Sequence, residues 1–146
     1  MPNKNQCKEC HSSNDVISPI GPKARNLDKN LIHGSETKNQ LAYLLQTGGI
    51  DSIPLNFQTV SDWEDESQSL NDRARAYLAV NCGHCHTPLG VANSTGLYLD
   101  FNEVRPLHLG INKSPVATGR GSGNLNYSIV PGKAHESILL FRMIST

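Results

Sequence analysis

One arrangement of cysteine and histidine occurs twice in this chain, as Cys7-Lys8-Glu9-Cys10-His11 and as Cys82-Gly83-His84-Cys85-His86. The two pentapeptides use all four cysteines of the 146 residues. Six histidines in a chain of this length would follow both pairs by chance about once in 600 cases. C-x-x-C-H is the attachment signature of a c-type haem. Two thiols add across the two vinyl groups of one porphyrin, and the x-x spacer sets their separation. The histidine that follows then donates a proximal nitrogen to the iron. A chain built on two such motifs is expected to fold around two large, flat, apolar bodies.

Other uses of paired cysteines stand beside this one. A structural zinc site usually places its halves about 15–20 residues apart, or ends in H-x₃₋₅-H. Here 71 residues separate Cys10 from Cys82, and neither motif is followed by such a histidine pair. Long loops can still be closed, which keeps zinc in play. A thioredoxin-like dithiol needs a strand ahead of the pair, and nothing before Cys7 could supply one. Disulfides between neighbouring cysteines would staple 146 residues poorly.

Composition agrees with a haem-centred fold. Hydrophobic residues make up 37% and aromatics 5%, too few for two self-sufficient cores, since a module of about 70 residues is marginal on burial alone. Thirteen basic and thirteen acidic side chains cancel, and no basic tract marks a nucleic-acid binder. The acidic cluster Asp62, Glu64, Asp65, Glu66 reads as solvated. No apolar run approaches the roughly 18 residues of a spanning helix.

Two haem modules are expected, residues 1–62 and 63–146. In the first, Ser18-Pro19-Ile20-Gly21-Pro22 forms a turn. A short amphipathic helix follows, with Ser35 as N-cap, Leu41, Leu44 and Leu45 as its apolar positions, and Gly48-Gly49 as its stop. Residues 50–68 read as a linker, in which Trp63 packs against a module. The second module opens with a helix capped by Ser69 or Asn71, favoured by Asp72 at its positive end. Ala74, Tyr77, Leu78 and Ala76 form its buried stripe, and it delivers the chain to Cys82. Gly96–Asp100 and Tyr127–Gly132 suggest a short β-ribbon, and Ile138–Met143 a final helix. The expected fold class is mainly α: two small cytochrome c-like modules, the second with a short β-ribbon, in a chain that is a fragment.

Larger strings carry a resemblance. Arg73-Ala74-Arg75-Ala76-Tyr77-Leu78 and Asn81-Cys82-Gly83-His84-Cys85-His86 resemble the haem segment of a family of bacterial di-haem c-type cytochromes, often described as lipoproteins. Ile20–Leu27, Asn39–Tyr43, Ser94–Leu97, Leu99-Asp100, Gly119–Gly123, Ile129–Gly132 and Ser137–Met143 are similar to it too, so the resemblance spans most of the chain. It implies that Tyr77, five residues before Cys82, lies where cytochrome c domains pack their first helix against their last. It also implies a Met-Pro segment beyond Met143, which this chain does not contain.

Motif position makes His11 and His86 the proximal iron ligands, and Cys7, Cys10, Cys82 and Cys85 the covalent attachments. A proximal histidine normally gives its other ring nitrogen to an acceptor. Pro22, eleven residues beyond His11, resembles the proline whose carbonyl accepts in cytochromes c, with Pro88 as its counterpart. Arg25 and Arg120 are candidate partners of haem propionates, because guanidinium matches carboxylate bidentately. His33 is the in-chain candidate for the sixth ligand of the first haem. His108, His135 and Met143 compete for the second, although Met143 also suits a packed helix. His84, inside its C-x-x-C loop, is expected to face solvent.

These readings lead to an electron-transfer protein with two c-type haems, cycling iron by one electron and meeting redox partner proteins. Its alternatives are the haem module of a larger dehydrogenase and a di-haem peroxidase-like enzyme. Haem c is attached outside the cytoplasm, so the protein is expected in the periplasm or an equivalent compartment, with any membrane anchor supplied by a lipoprotein signal upstream. Met1-Pro2-Asn3-Lys4-Asn5-Gln6 lacks the basic and apolar regions of such a signal, hence the expectation of a fragment.

Overall fold

Twelve glycines and eight prolines compete with regular structure along this chain, and irregular backbone prevails over most of it. The computed structural model describes residues 3, 5, 7, 8, 11–13, 16, 17, 20 and 23–145. Contacts divide the chain into two units, one of residues 1–19 with 78–146 and one of residues 20–77. In the first, residues 5, 7 and 8 are helical, and two-residue strands follow, β1 (Ser12–Ser13) and β2 (Val16–Ile17), antiparallel with Ser12 opposite Ile17.

In the unit of residues 20–77, α1 (Ala24–Leu27) is a single turn. The chain then pairs with itself, β3 (Asn30–His33) against β4 (Glu36–Asn39), with Asn30 opposite Asn39 and His33 opposite Glu36. That register leaves Gly34-Ser35 as the turn. Gly34 has φ +67°, which the first central position of a type II′ hairpin requires and glycine supplies without a Cβ clash. Ser35 therefore belongs to a hairpin rather than a helix cap. Asn39 is the cap: its side chain accepts from the Ala42 N–H at 3.1 Å and opens α2 (Gln40–Gln46), which buries Leu41.

The segment expected as a linker is tied to this unit. Asp28 accepts from the Thr59 hydroxyl at 2.6 Å and from Asn39 Nδ2 at 2.8 Å. Those two bonds, Thr59 first, hold its carboxyl below the ordinary aspartate range. The Val60 N–H donates to the Arg25 carbonyl at 3.2 Å. The acidic cluster folds into tight turns, with Asp62 accepting from the Glu64 N–H and Asp65 from the Ser67 N–H. Trp63 meets Tyr77 edge-on, ring centroids 6.0 Å apart, and its carbonyl accepts from Arg73 Nε at 2.8 Å.

α3 (Leu70–Asn81) starts where Ser69 Oγ accepts from the Asp72 N–H at 3.1 Å and donates to Asp72 Oδ2 at 2.6 Å. Its buried positions are Ala76 and Ala79, one turn apart. Beyond α3 the chain runs mainly through turns until α4 (Ile138–Ile144). The stretch Tyr127–Ile129 threads between two neighbours. Ile129 exchanges backbone bonds with Asn112 and Gly110, at 2.8 and 2.9 Å, while Tyr127 and Ser128 accept from Ile138 and Leu139, each at 3.0 Å. Leu99, 1% exposed, and Ile138 are the apolar centre of this part. Among the described residues, no helix is long and apolar enough to cross a membrane.

Two expectations are corrected here. Helix of every kind makes up 33% of the chain and strand 11%, so the fold is neither mainly α nor a pair of small cytochrome c-like modules. Glycine and proline are poor helix residues, and they recur through the long stretches between α2 and α3 and between α3 and α4. The β-ribbon of Gly96–Asp100 with Tyr127–Gly132 does not form either. Tyr98 N–H donates to the His108 carbonyl and Leu99 N–H to the His86 carbonyl, each at 2.8 Å. With its donors divided between two neighbours, this segment builds no ladder. Among the described residues, Tyr127 and Ile129 instead make isolated parallel bridges, to Ser137 and Ile111.

Candidate functional site

The last turn of α3 runs directly into the second motif. Cys82 N–H donates to the Leu78 carbonyl and His86 N–H to the Cys82 carbonyl, both at 2.9 Å. Residues four apart on such a turn share a face, so Cys82 and His86 fall on the same side. The first motif makes the same two bonds, Cys7 N–H to the Asn3 carbonyl at 3.1 Å and His11 N–H to the Cys7 carbonyl at 2.9 Å. These equivalent bonds form although the spacers Lys8-Glu9 and Gly83-His84 differ completely in sequence.

Cys82 and His86 line an open cleft of about 700 Å³, solvent at its mouth included. Leu97, Leu99, Val116, Ile138 and Leu139 give it apolar walls. His86 Nδ1 lies 3.2 Å from the Leu97 carbonyl oxygen. A carbonyl only accepts, so Nδ1 is the donor in this contact, and in the neutral ring that leaves the lone pair on Nε2. Cys82 and Cys85 are half-buried thiols, and burial pushes the Cys82 thiol up in pKa, keeping it protonated at neutral pH.

The stretch that presents the Leu97 carbonyl is pinned from several sides. Thr95 Oγ1 accepts from the Leu97 N–H at 3.1 Å and donates to the Ala92 carbonyl at 2.7 Å. The neighbouring Tyr98 and Leu99 amides are held by the His108 and His86 carbonyls. Behind His108 sits Glu103, 7% exposed, which accepts from both N–H groups of the Val104-Arg105 backbone and from the Arg105 guanidinium at 2.9 and 2.6 Å. His108 Nδ1 lies 3.4 Å from the same carboxylate. The Arg105 side chain, foremost among these donors, holds the Glu103 carboxyl at a pKa of about 2.

The other expected site residues are scattered. Cys7 and His11 are exposed, while Cys10 and Pro22 lie outside the described residues. Pro88 is not the acceptor for His86; Leu97 is. Arg25 belongs to α1, and Arg120 lies exposed in a 3₁₀ turn, Gly119–Ser122, and is not a lining residue of the cleft. His33 stacks on Tyr43 at 4.0 Å, its Nε2 buried without a hydrogen-bond partner. It falls in the unit of residues 20–77, whereas His11 falls in the other. His108, His135 and Met143 are all absent from the cleft walls; His135 is paired with Glu136, and Met143 is 53% exposed. His84 is half-buried, with Nδ1 shielded from solvent.

Sequence reasoning missed Leu97, Lys113, Arg142 and Glu103. Leu97 was within reach, because it stands eleven residues after His86, as Pro22 stands after His11. Lys113 and Arg142 line the cleft but carry no local motif. Compared with known proteins, the chain matches no family model, no curated protein and no solved structure.

Proposed function

We propose that the chain is a c-type haem protein that carries two covalently attached haems and transfers electrons one at a time. The observation that carries this reading is the arrangement at the second motif: Cys82 and His86 on one face, both lining one apolar cleft, with the His86 ring oriented by the Leu97 carbonyl. A proximal ligand needs a tautomer with Nε2 unprotonated and a second-shell acceptor on Nδ1, and His86 meets both conditions. A covalent attachment needs two neighbouring thiols, each adding S–H across one vinyl C=C, and Cys82 and Cys85 are both thiols. The matching backbone bonds around Cys7 and His11 support the same role for the first motif, with Cys7 and Cys10 as attachments and His11 as ligand.

Bound haem supplies an iron that alternates between ferric and ferrous states, and the protein's part is ligation, burial and the local field that set its potential. His86 would be the residue that holds the iron, the Leu97 carbonyl would strengthen its ring as a donor, and the aliphatic walls would cover the apolar face of the group. Redox partner proteins and a periplasmic or equivalent compartment follow from this reading. Anaerobic redox titration of the matured protein tests it: two reversible one-electron steps are expected. Irreversible steps, or turnover of hydrogen peroxide at enzymatic rates, would replace it with the peroxidase-like alternative.

A further inference from the structure

The cleft beside Cys82 and His86 has apolar walls and two cations, Lys113 and Arg142, and among the described residues no carboxylate lines it. Neither cation joins an ion pair among the described residues, unlike Lys38, Arg105 and Lys133. Lys113 is half-buried, and a charge in such a place is stabilised only by a counter-charge or water. Its ammonium lies over Gly96, since a Cβ built there would be 3.6 Å from Lys113 Nζ. That puts the charge beside the Thr95–Leu97 stretch that orients His86.

Arg142 is anchored from behind. Its Nε donates to the Gly121 carbonyl at 3.0 Å, which leaves the Nη groups for another acceptor. A Cβ on Gly121 would sit 2.8 Å from Arg142 Nη2, so the glycine at this position makes room for the guanidinium. Arg120, one residue away on the same turn, is exposed and lines no part of the cleft.

We propose that Lys113 and Arg142, rather than Arg120, receive the two carboxylates of the ligand in this cleft, which in the reading above are the haem propionates. The inference rests on that reading and adds two positioning residues to it. An apolar body bearing two carboxylates matches an apolar cleft bearing two uncompensated cations, and Arg142 can pair bidentately. Both charges also disfavour the more positive ferric state, so they raise the potential of this haem.

The test is the midpoint potential of the haem attached at Cys82 and Cys85, in matured protein carrying Lys113→Gln, Arg142→Gln or Arg120→Gln. Each of the first two is expected to lower the potential, by about tenfold in the ferrous/ferric ratio or ~59 mV for one electron. Arg142→Lys should restore most of the loss, and Arg120→Gln should change nothing. If Arg142→Gln fails to mature, Gly121→Ala crowds the guanidinium while keeping its charge and should lower the potential in the same direction. Unchanged potentials in the Lys113 and Arg142 variants, or a shift confined to Arg120→Gln, would overturn the proposal. Wild-type protein lacking haem at Cys82 and Cys85 would instead overturn the functional reading, and mass measurement separates the two failures.

Discussion

The Leu97 carbonyl oxygen sits 3.2 Å from His86 Nδ1, eleven residues further along the chain. The acceptor is backbone, so its position depends on how residues 95–99 are held rather than on the leucine side chain. Thr95 does much of that holding, through its bonds to Leu97 and Ala92. Thr95→Val keeps the shape, removes both bonds and leaves a partly buried N–H without its acceptor. The expected cost is about 1–2 kcal/mol of stability, read from denaturant midpoints of matured protein. In the proposed reading the potential of a haem held by His86 should rise as well, because a His86 less well bonded at Nδ1 is a weaker donor to ferric iron.

Glu103 predicts a specific acid response. Its carboxyl is held at a pKa of about 2 against an ordinary 4.5, chiefly by the Arg105 side chain. A carboxyl depressed on folding stabilises the fold above its unfolded pKa, and that contribution drains away as pH falls from about 4.5 through about 2. Glu103→Gln should therefore reduce stability near neutrality and flatten its decline below pH ~4.5. Equal acid limbs for wild type and variant would show that the carboxylate contributes nothing there.

How much of this was legible in the residues varies with the range of the interaction. Ser69 as a cap, α3 leading into Cys82 and the helix at Ile138 follow from local chemistry, and they form as expected. Gly34-Ser35 also carried a local signal, a two-residue hairpin turn, but Ser35 reads equally well as a helix cap and the hairpin was missed. The ribbon at Gly96–Asp100 failed because its alternation is real while its amides go to His86 and His108, partners that no pattern within the segment reveals. Lys113 and Arg142 reach the cleft from distant parts of the chain, so only packing could bring them forward.

Leu99 is the most buried large side chain of the described residues, and its N–H is bonded to the His86 carbonyl. Leu99→Ala should cost about 2–5 kcal/mol, depending on how far the site collapses. Thermal or denaturant unfolding of matured protein measures it. A loss below about 1 kcal/mol would mean that the proximal side of the cleft is looser than described.

Among the described residues, the walls of the cleft contain one imidazole, that of His86, and no thioether. In the proposed reading, a haem held in this cleft is therefore expected to bind carbon monoxide readily when reduced, with a matching change in its visible spectrum. The contrary result is a methionine-to-iron charge-transfer band in the ferric protein that Met143→Ala abolishes.

Intact mass is the most direct test of the central claim. The chain is expressed for export in a host that attaches haem c, purified and weighed, alongside a Cys82→Ala/Cys85→Ala variant. The account predicts wild-type mass equal to the polypeptide plus two haems, and the variant lighter by one haem beyond the change of side chains. Wild-type protein at the mass of the bare polypeptide, with zinc bound in place of haem, would contradict it.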